Sequence, residues 1–153
     1  MSLFLSTFVN KVDRKGRVSV PASWRARLSA QPYQGIVVFP SFTGQPCLEG
    51  MDMSRVETLA ENMDQFDVFS TEQDDRAQLI FAESRELPFD PEGRIVLPAD
   101  LLEQVGITTH ATFVGLAKHF QIWEPAAYEA TRAAVRARAI QTRPTVPVKG
   151  GAA

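Results

Sequence analysis

The chain writes one phrase twice. "DRKGRVSVPASW" at residues 13–24 returns as "DPEGRIVLPADL" at residues 90–101, with Asp, Gly, Arg, a β-branched residue and Pro in register across an offset of 77. A repeat of this size implies two like supersecondary units, neither able to close a core alone. The expected arrangement is one body in which both pack about a pseudo-two-fold axis.

Each phrase carries its own turn chemistry. Asp90-Pro91-Glu92-Gly93 puts Asp, Pro and Gly at the first, second and fourth places of a type I turn. With a left-handed Gly93 this is a three-residue hairpin loop with a bulge. Asp13-Arg14-Lys15-Gly16 keeps the Asp and the Gly, so the same geometry is expected with cations at its tip. Alternating residues follow, Arg17 to Val20 and Arg94 to Leu97, each a strand with one buried face. Pro21 and Pro98 end these strands and suit the first position of a short helix. Those helices should bury Trp24 with Leu28, and Leu101 with Val105.

The likeness continues downstream. "GIVVFPSFTGQPCLEG" and "ATFVGLAKHFQIWEP" each offer two apolar strands around a turn. Ser54 with Glu57 forms a capping box for a helix carrying Val56, Leu59 and Met63, and Pro125 opens an Ala-rich helix towards Ala139. Between the halves, Thr71 with Asp74 can cap a connector helix with Ala77, Ile80 and Phe81 on its apolar side. Its acids, Asp64, Asp67, Glu72, Asp74 and Asp75, are read as solvated, since no calcium-loop pattern runs through them. The expected divisions are a first unit at 1–52, a connector at 53–83, a second unit at 84–140 and a disordered Pro- and Gly-rich tail at 141–153.

Charge is segregated. Residues 1–48 hold Lys11, Arg14, Lys15, Arg17, Arg25 and Arg27 against Asp13 alone, a balance of +5; residues 49–103 hold fifteen acids against four Arg, −11; residues 104–153 return to +4. The net of −2 therefore conceals a basic face, and local field decides what approaches a surface. No run nears the roughly 18 apolar residues of a membrane span, and "MSLFLSTFVNK" lacks a charged leader, so a cytoplasmic protein is expected. The single Cys47 agrees with a reducing compartment.

Catalytic constellations are missing from the sequence. His110 and His119 lack ligand spacing for a metal, Ser19 and Ser23 lack a nearby base, and Gly16 and Gly93 lack the further glycines of a phosphate loop. Trp24 and Trp123 fall on the apolar sides of their elements and read as core. Neither an enzyme nor a cofactor or metal site is expected.

"FLSTFVNKVDRKGRVSVPASWRARL" together with "RELPFDPEGRIVLPADLLEQVGITTHATFVGLAKHFQIWEP" resembles the MraZ family over about residues 4–135. The paired Asp-x-x-Gly-Arg copies carry the resemblance. Departures are Ser6, where the family usually has Gly, and Gln121, where it often has Glu. The resemblance implies an α+β fold: tandem AbrB-like swapped-hairpin units forming one pseudo-two-fold β-barrel with flanking helices. It further implies a nucleoid-associated transcriptional regulator of the division and cell-wall gene cluster, assembled into an octamer-like homo-oligomeric ring on double-stranded DNA with spaced short direct repeats. Its Asp-x-x-x-Arg motifs fall here on Asp13 with Arg17 and on Asp90 with Arg94.

Physical chemistry points to the same tips. Arg14, Lys15 and Arg17, with Lys11 before them and Arg25 or Arg27 behind, would set several cations over one duplex backbone. Arg17 is the expected base contact, since Arg binds a guanine edge through two hydrogen bonds, with Lys15, Arg14 and Lys11 on phosphates, while Asp13 and Gly16 shape the turn. The second motif, Asp90, Gly93 and Arg94, lies among acids and is expected to complete the barrel while the first meets DNA. Arg17 and Asp13 could instead form an exposed ion pair of small value. Two other functions fit a repeat of this kind: an antitoxin-like protein-interaction module with incidental DNA binding, and a scaffold without a nucleic-acid role.

Overall fold

The computed structural model describes residues 3–63, 70–142 and 145. In chain order the elements are β1 (Thr7–Lys11), β2 (Arg17–Ser19), α1 (Ala22–Leu28), β3 (Gly35–Pro40), β4 (Leu48–Met51) and α2 (Met53–Met63). There follow α3 (Thr71–Ala77), a π-helical turn (Gln78–Ala82), β5 (Arg85–Pro88), β6 (Arg94–Val96), α4 (Ala99–Val105), β7 (His110–Gly115), β8 (Phe120–Trp123) and α5 (Pro125–Thr142). The fold is α+β, and every strand pair is antiparallel.

Six strands form one sheet in the order β1-β7-β8-β4-β3-β5, and β2 pairs with β6 in a separate ribbon. Exchanging each strand of the first half for its counterpart in the second reverses that order and leaves it unchanged. The pseudo-two-fold thus passes between β4 and β8, where Glu49 faces Gln121, and through the ribbon, where Val18 faces Ile95. The halves are interleaved: β1 pairs with β7 of the second half, and β5 pairs with β3 of the first. The barrel is not a continuous ladder. Its sheet ends at β1 and β5, and each edge joins the ribbon through a tight turn, where the Asp13 and Asp90 amides donate to the Arg17 and Arg94 carbonyls.

The core fills the space between sheet, ribbon and short helices. Val18 and Ile95 of the ribbon, Leu28 and Leu101 of α1 and α4, and Phe113, Phe120 and Ile122 of the sheet meet there. Trp24 is 1% exposed at its centre, edge-on to Phe4, Phe8 and Phe113, with Nε1 donating to the Leu5 carbonyl at 2.9 Å. Trp123 packs with Val114, Cys47 and Tyr128 under α5. Both tryptophans are core, as their positions in sequence indicated.

Several boundaries differ from expectation. Pro21 and Pro98 stand one place ahead of their helices, as caps, and their carbonyls accept the first helical amides. Asp52, not Ser54, caps α2: its Oδ1 accepts the Arg55 amide at 2.8 Å and the Ser54 hydroxyl at 3.0 Å. Asp52 stands immediately before the first helical residue, whereas Ser54 is already inside α2. Ser70, not Thr71, caps α3 and accepts the Gln73 amide at 3.0 Å. The connector carries a π-helical turn that the pattern did not predict, and α5 runs to Thr142, three residues past Ala139. Glu72, Asp74 and Asp75 are exposed; residues 141 and 142 of the expected tail are helical, and Asp64, Asp67 and residues 143, 144 and 146–153 lie outside the described residues.

Ser6 has φ +74°. There its carbonyl accepts the Gly115 amide at 2.9 Å, next to a bridge between Phe4 and Ala117. A Gly at this place would suit that left-handed backbone.

Candidate nucleic-acid interface

The two turns are near copies in atomic detail. In the first, Asp13 Oδ1 accepts the Lys15 and Arg17 amides, each at 2.9 Å, and Oδ2 accepts Arg17 Nε at 2.6 Å. In the second, Asp90 Oδ1 accepts the Glu92 and Arg94 amides, each at 2.9 Å, and Oδ2 accepts Arg94 Nε at 2.8 Å. Gly16 and Gly93 hold φ of +82° and +77° and close the turns onto the Asp carbonyls. Each Asp therefore both builds a turn and aims an arginine.

These donors hold both carboxyls below the usual carboxylate range. The amide of Arg17 is the largest cause at Asp13, and that of Arg94 at Asp90, with the guanidinium bonds adding to each. The Asp90 hydrogen bond in turn raises Arg94 above its ordinary value. The ion pair weighed in the sequence as an alternative for Arg17 is present.

The hairpins are closed only at their tips. Beyond Asp13 and Arg17, β1 enters the sheet and β2 enters the ribbon, and Asn10 Nδ2 donating to the Ser19 carbonyl at 2.7 Å spans the divergence. Because Val18 and Ile95 turn inward, the alternate residues Arg17, Ser19, Arg94 and Val96 share the outer ribbon face. Arg17 pairs with Val96 and Arg94 with Ser19, which sets the two arginines on a diagonal about 7–8 Å apart. The two turns take equivalent places, one where each edge strand leads into the ribbon.

The turns do differ in charge and bracing. The Arg17 side chain is 36% exposed and meets one acid; Arg94 is 27% exposed and meets two, Asp90 and, at 3.6 Å, Glu92. Lys11, Arg14, Lys15 and Arg27 are exposed. Arg25 does not support the first tip. It crosses to the second, donating to the Glu92 carbonyl at 3.3 Å and lying against Gly93. At the matching place, Leu102 lies over Gly16. Setting the copies in register, with Arg25 over Leu102, is the one sequence signal for that role; Asn10 offers none.

Chemistry elsewhere is sparse. Among the described residues no three of His, Cys, Asp and Glu gather as a metal set, and burial pushes the Cys47 thiol up to about 12. His110 meets Thr109 at 3.0 Å, while His119 lies 3.8 Å from Glu49. No helix among the described residues is long and apolar enough to cross a membrane.

The family described as "MraZ protein, putative antitoxin-like" matches residues 80–144. A protein of Rhodospirillum rubrum, "Transcriptional regulator MraZ", is 52% identical over 134 residues, 86% of this chain and 86% of its own. This chain belongs to the MraZ family. A relative of the same name from Pelagibacter ubique is 44% identical over 137 residues, 90% of this chain and 88% of its own. Another, from Gluconacetobacter diazotrophicus, is 41% identical over 153 residues, 98% of this chain and 95% of its own. The family match covers the second turn, and the Gluconacetobacter relative, matched over 98% of this chain, spans both.

Proposed function

We propose that this chain, a transcriptional regulator by family, binds duplex DNA in a sequence-specific way through the outer face of its ribbon and the two turns flanking it. The observation that carries the reading is the pair Arg17 and Arg94, diagonal on one exposed face, each held through Nε by its own Asp. Fixed in this manner, Arg17 keeps its two terminal amino groups for an acceptor pair such as guanine O6 and N7, whereas Nη2 of Arg94 also faces Glu92. Two-stranded ribbons are an established fit for the major groove.

Roles follow from exposure and neighbours. Arg17, with one acid, reads a base; Lys15, Arg14 and Lys11 neutralise phosphates and position the ribbon. Arg94, with two acids, makes the weaker contact. The operator is a set of spaced short direct repeats ahead of the division and cell-wall gene cluster, and a homo-oligomeric ring multiplies one modest contact per subunit into avid binding. The site of action is the cytoplasmic nucleoid.

The test is a salt titration of binding to duplexes with spaced direct repeats or scrambled sequence, for the native chain, Arg17→Ala and Arg94→Ala. The reading expects a preference for repeats, its loss in Arg17→Ala and a smaller loss in Arg94→Ala. It expects Lys15→Ala to weaken both duplexes alike and to reduce the salt slope by about 0.9. Native protein without preference at any salt would sink the reading and turn the search to a protein partner.

A further inference from the structure

On the sheet's other face, away from the ribbon, Phe39, Glu49, Met51 and Gln121 border a cavity of about 350 Å³ roofed by Leu59 of α2 and Ile80 of the π-helical turn. That volume suits a small organic molecule. Phe39 and Phe42 stack there, ring centres 6.3 Å apart and planes 20° off parallel.

Among the described residues bordering it, Glu49 is the one carboxylate, and its side chain is only 12% exposed. Its partners are few for a part-buried carboxylate. Gln121 Oε1 accepts Trp123 Nε1 at 2.9 Å, which turns Nε2 towards Glu49 to donate at 3.1 and 3.3 Å. His119 Nε2 stands at 3.8 Å. Among the described residues no Lys or Arg lies within ion-pair distance of Glu49, although Arg55 also borders the cavity. A carboxylate withdrawn from water with only a neutral amide and a distant imidazole retains acceptor capacity and favours an incoming cation. Aromatic faces and a thioether beside it favour the same ligand.

We propose that this cavity binds a small organic amine with an apolar body, its ammonium on the Glu49 carboxylate and its body against Phe39, Phe42 and Met51. The site is separate from the ribbon and independent of whether the ribbon binds DNA.

The experiment follows backbone amide resonances of the full chain at pH 8 while phenethylamine, phenethyl alcohol or phenylacetate is added. Saturable shifts at Glu49, Gln121 and Phe42 with phenethylamine, weaker ones with the alcohol and none with phenylacetate are expected. Glu49→Gln should weaken phenethylamine by at least about tenfold, the loss of one charge-assisted bond. Phe42→Ala, at the exposed rim, should weaken it several-fold with an unchanged melting curve. Equal response to phenylacetate, no saturation, or undiminished binding in Glu49→Gln overturns the proposal. Should Glu49→Gln fail to fold, the three probes on the native chain decide it.

Discussion

Arg25 of the first half lies across Gly93 of the second, its Nη1 donating to the Glu92 carbonyl at 3.3 Å. Its Nε is buried with no hydrogen-bond partner. A cation thus sits behind the acidic turn, where the other copy has the neutral Leu102. The two turns share a backbone but stand on different supports.

That difference is measurable by adding a methyl group. A Cβ at Gly16 would stand 2.5 Å from the Leu97 carbonyl oxygen, whereas one at Gly93 would meet the far end of the Arg25 side chain. Both positions carry positive φ. Gly16→Ala should cost about 2–4 kcal/mol and Gly93→Ala about 1–2 kcal/mol in urea unfolding. Arg25→Ala should shrink the Gly93→Ala cost and leave that of Gly16→Ala alone; equal costs in the Arg25→Ala background would refute the assignment.

Removing the charge of Asp13 separates turn from aim. Asn at 13 can still accept the Lys15 and Arg17 amides, but it loses the ionic hold on Arg17 Nε. Asp13→Asn should lower stability only slightly, as for any solvent-exposed ion pair. Its preference for repeat-bearing over scrambled duplex should fall towards that of Arg17→Ala. A variant as selective as the native chain would show that Arg17 needs no aiming.

Acid should find the turns late. Both Asp pKa values are depressed in the folded chain, so their contribution is complete above the unfolded carboxylate value of about 3.9. It is lost only as pH falls through the lower folded values. Carboxyl carbon shifts of Asp13 and Asp90 should therefore titrate below that value. Midpoints at or above it would show that the amide bonds do not persist in solution.

Trp24→Phe tests the centre of the core. The indole fills space between Phe4, Phe8 and Phe113, and its loss also leaves the Leu5 carbonyl without its donor. A cost of about 2–4 kcal/mol is expected, with Tm lower by roughly 2–4 °C for each kcal/mol. A shift under about 2 °C would mean that the aromatic cluster repacks.

What the sequence disclosed was whatever a few neighbouring residues decide. Asp, Gly and Pro at fixed offsets set both turns, both ribbon strands and the starts of α1 and α4 to within a residue. Caps were less legible: Asp52, two residues ahead of the expected Ser54, and Ser70, one ahead of the expected Thr71, hold the first amides of their helices. Strand partners were not legible, because a repeat states that halves are alike without saying which half completes which. The crossing of Arg25 to the second turn is invisible in local sequence because its acceptor lies 67 residues away. Arg17 and Arg94 were recognised as a pair of motifs, but their common face emerges only when β2 meets β6.

The interleaved sheet also sets an order of events for synthesis. Thr7 pairs with Val114 and Lys11 with His110, so β1 has no partner strand until most of the chain has left the ribosome. Contacts so distant in sequence form slowly, and an unpaired strand is an invitation to other chains. For the whole of that interval Val9, on the exposed side of β1 even in the finished fold, accompanies an open edge. A translation arrest between the two copies would therefore release a fragment that cannot mature alone, and nascent chains crowded on one messenger could exchange their first strands.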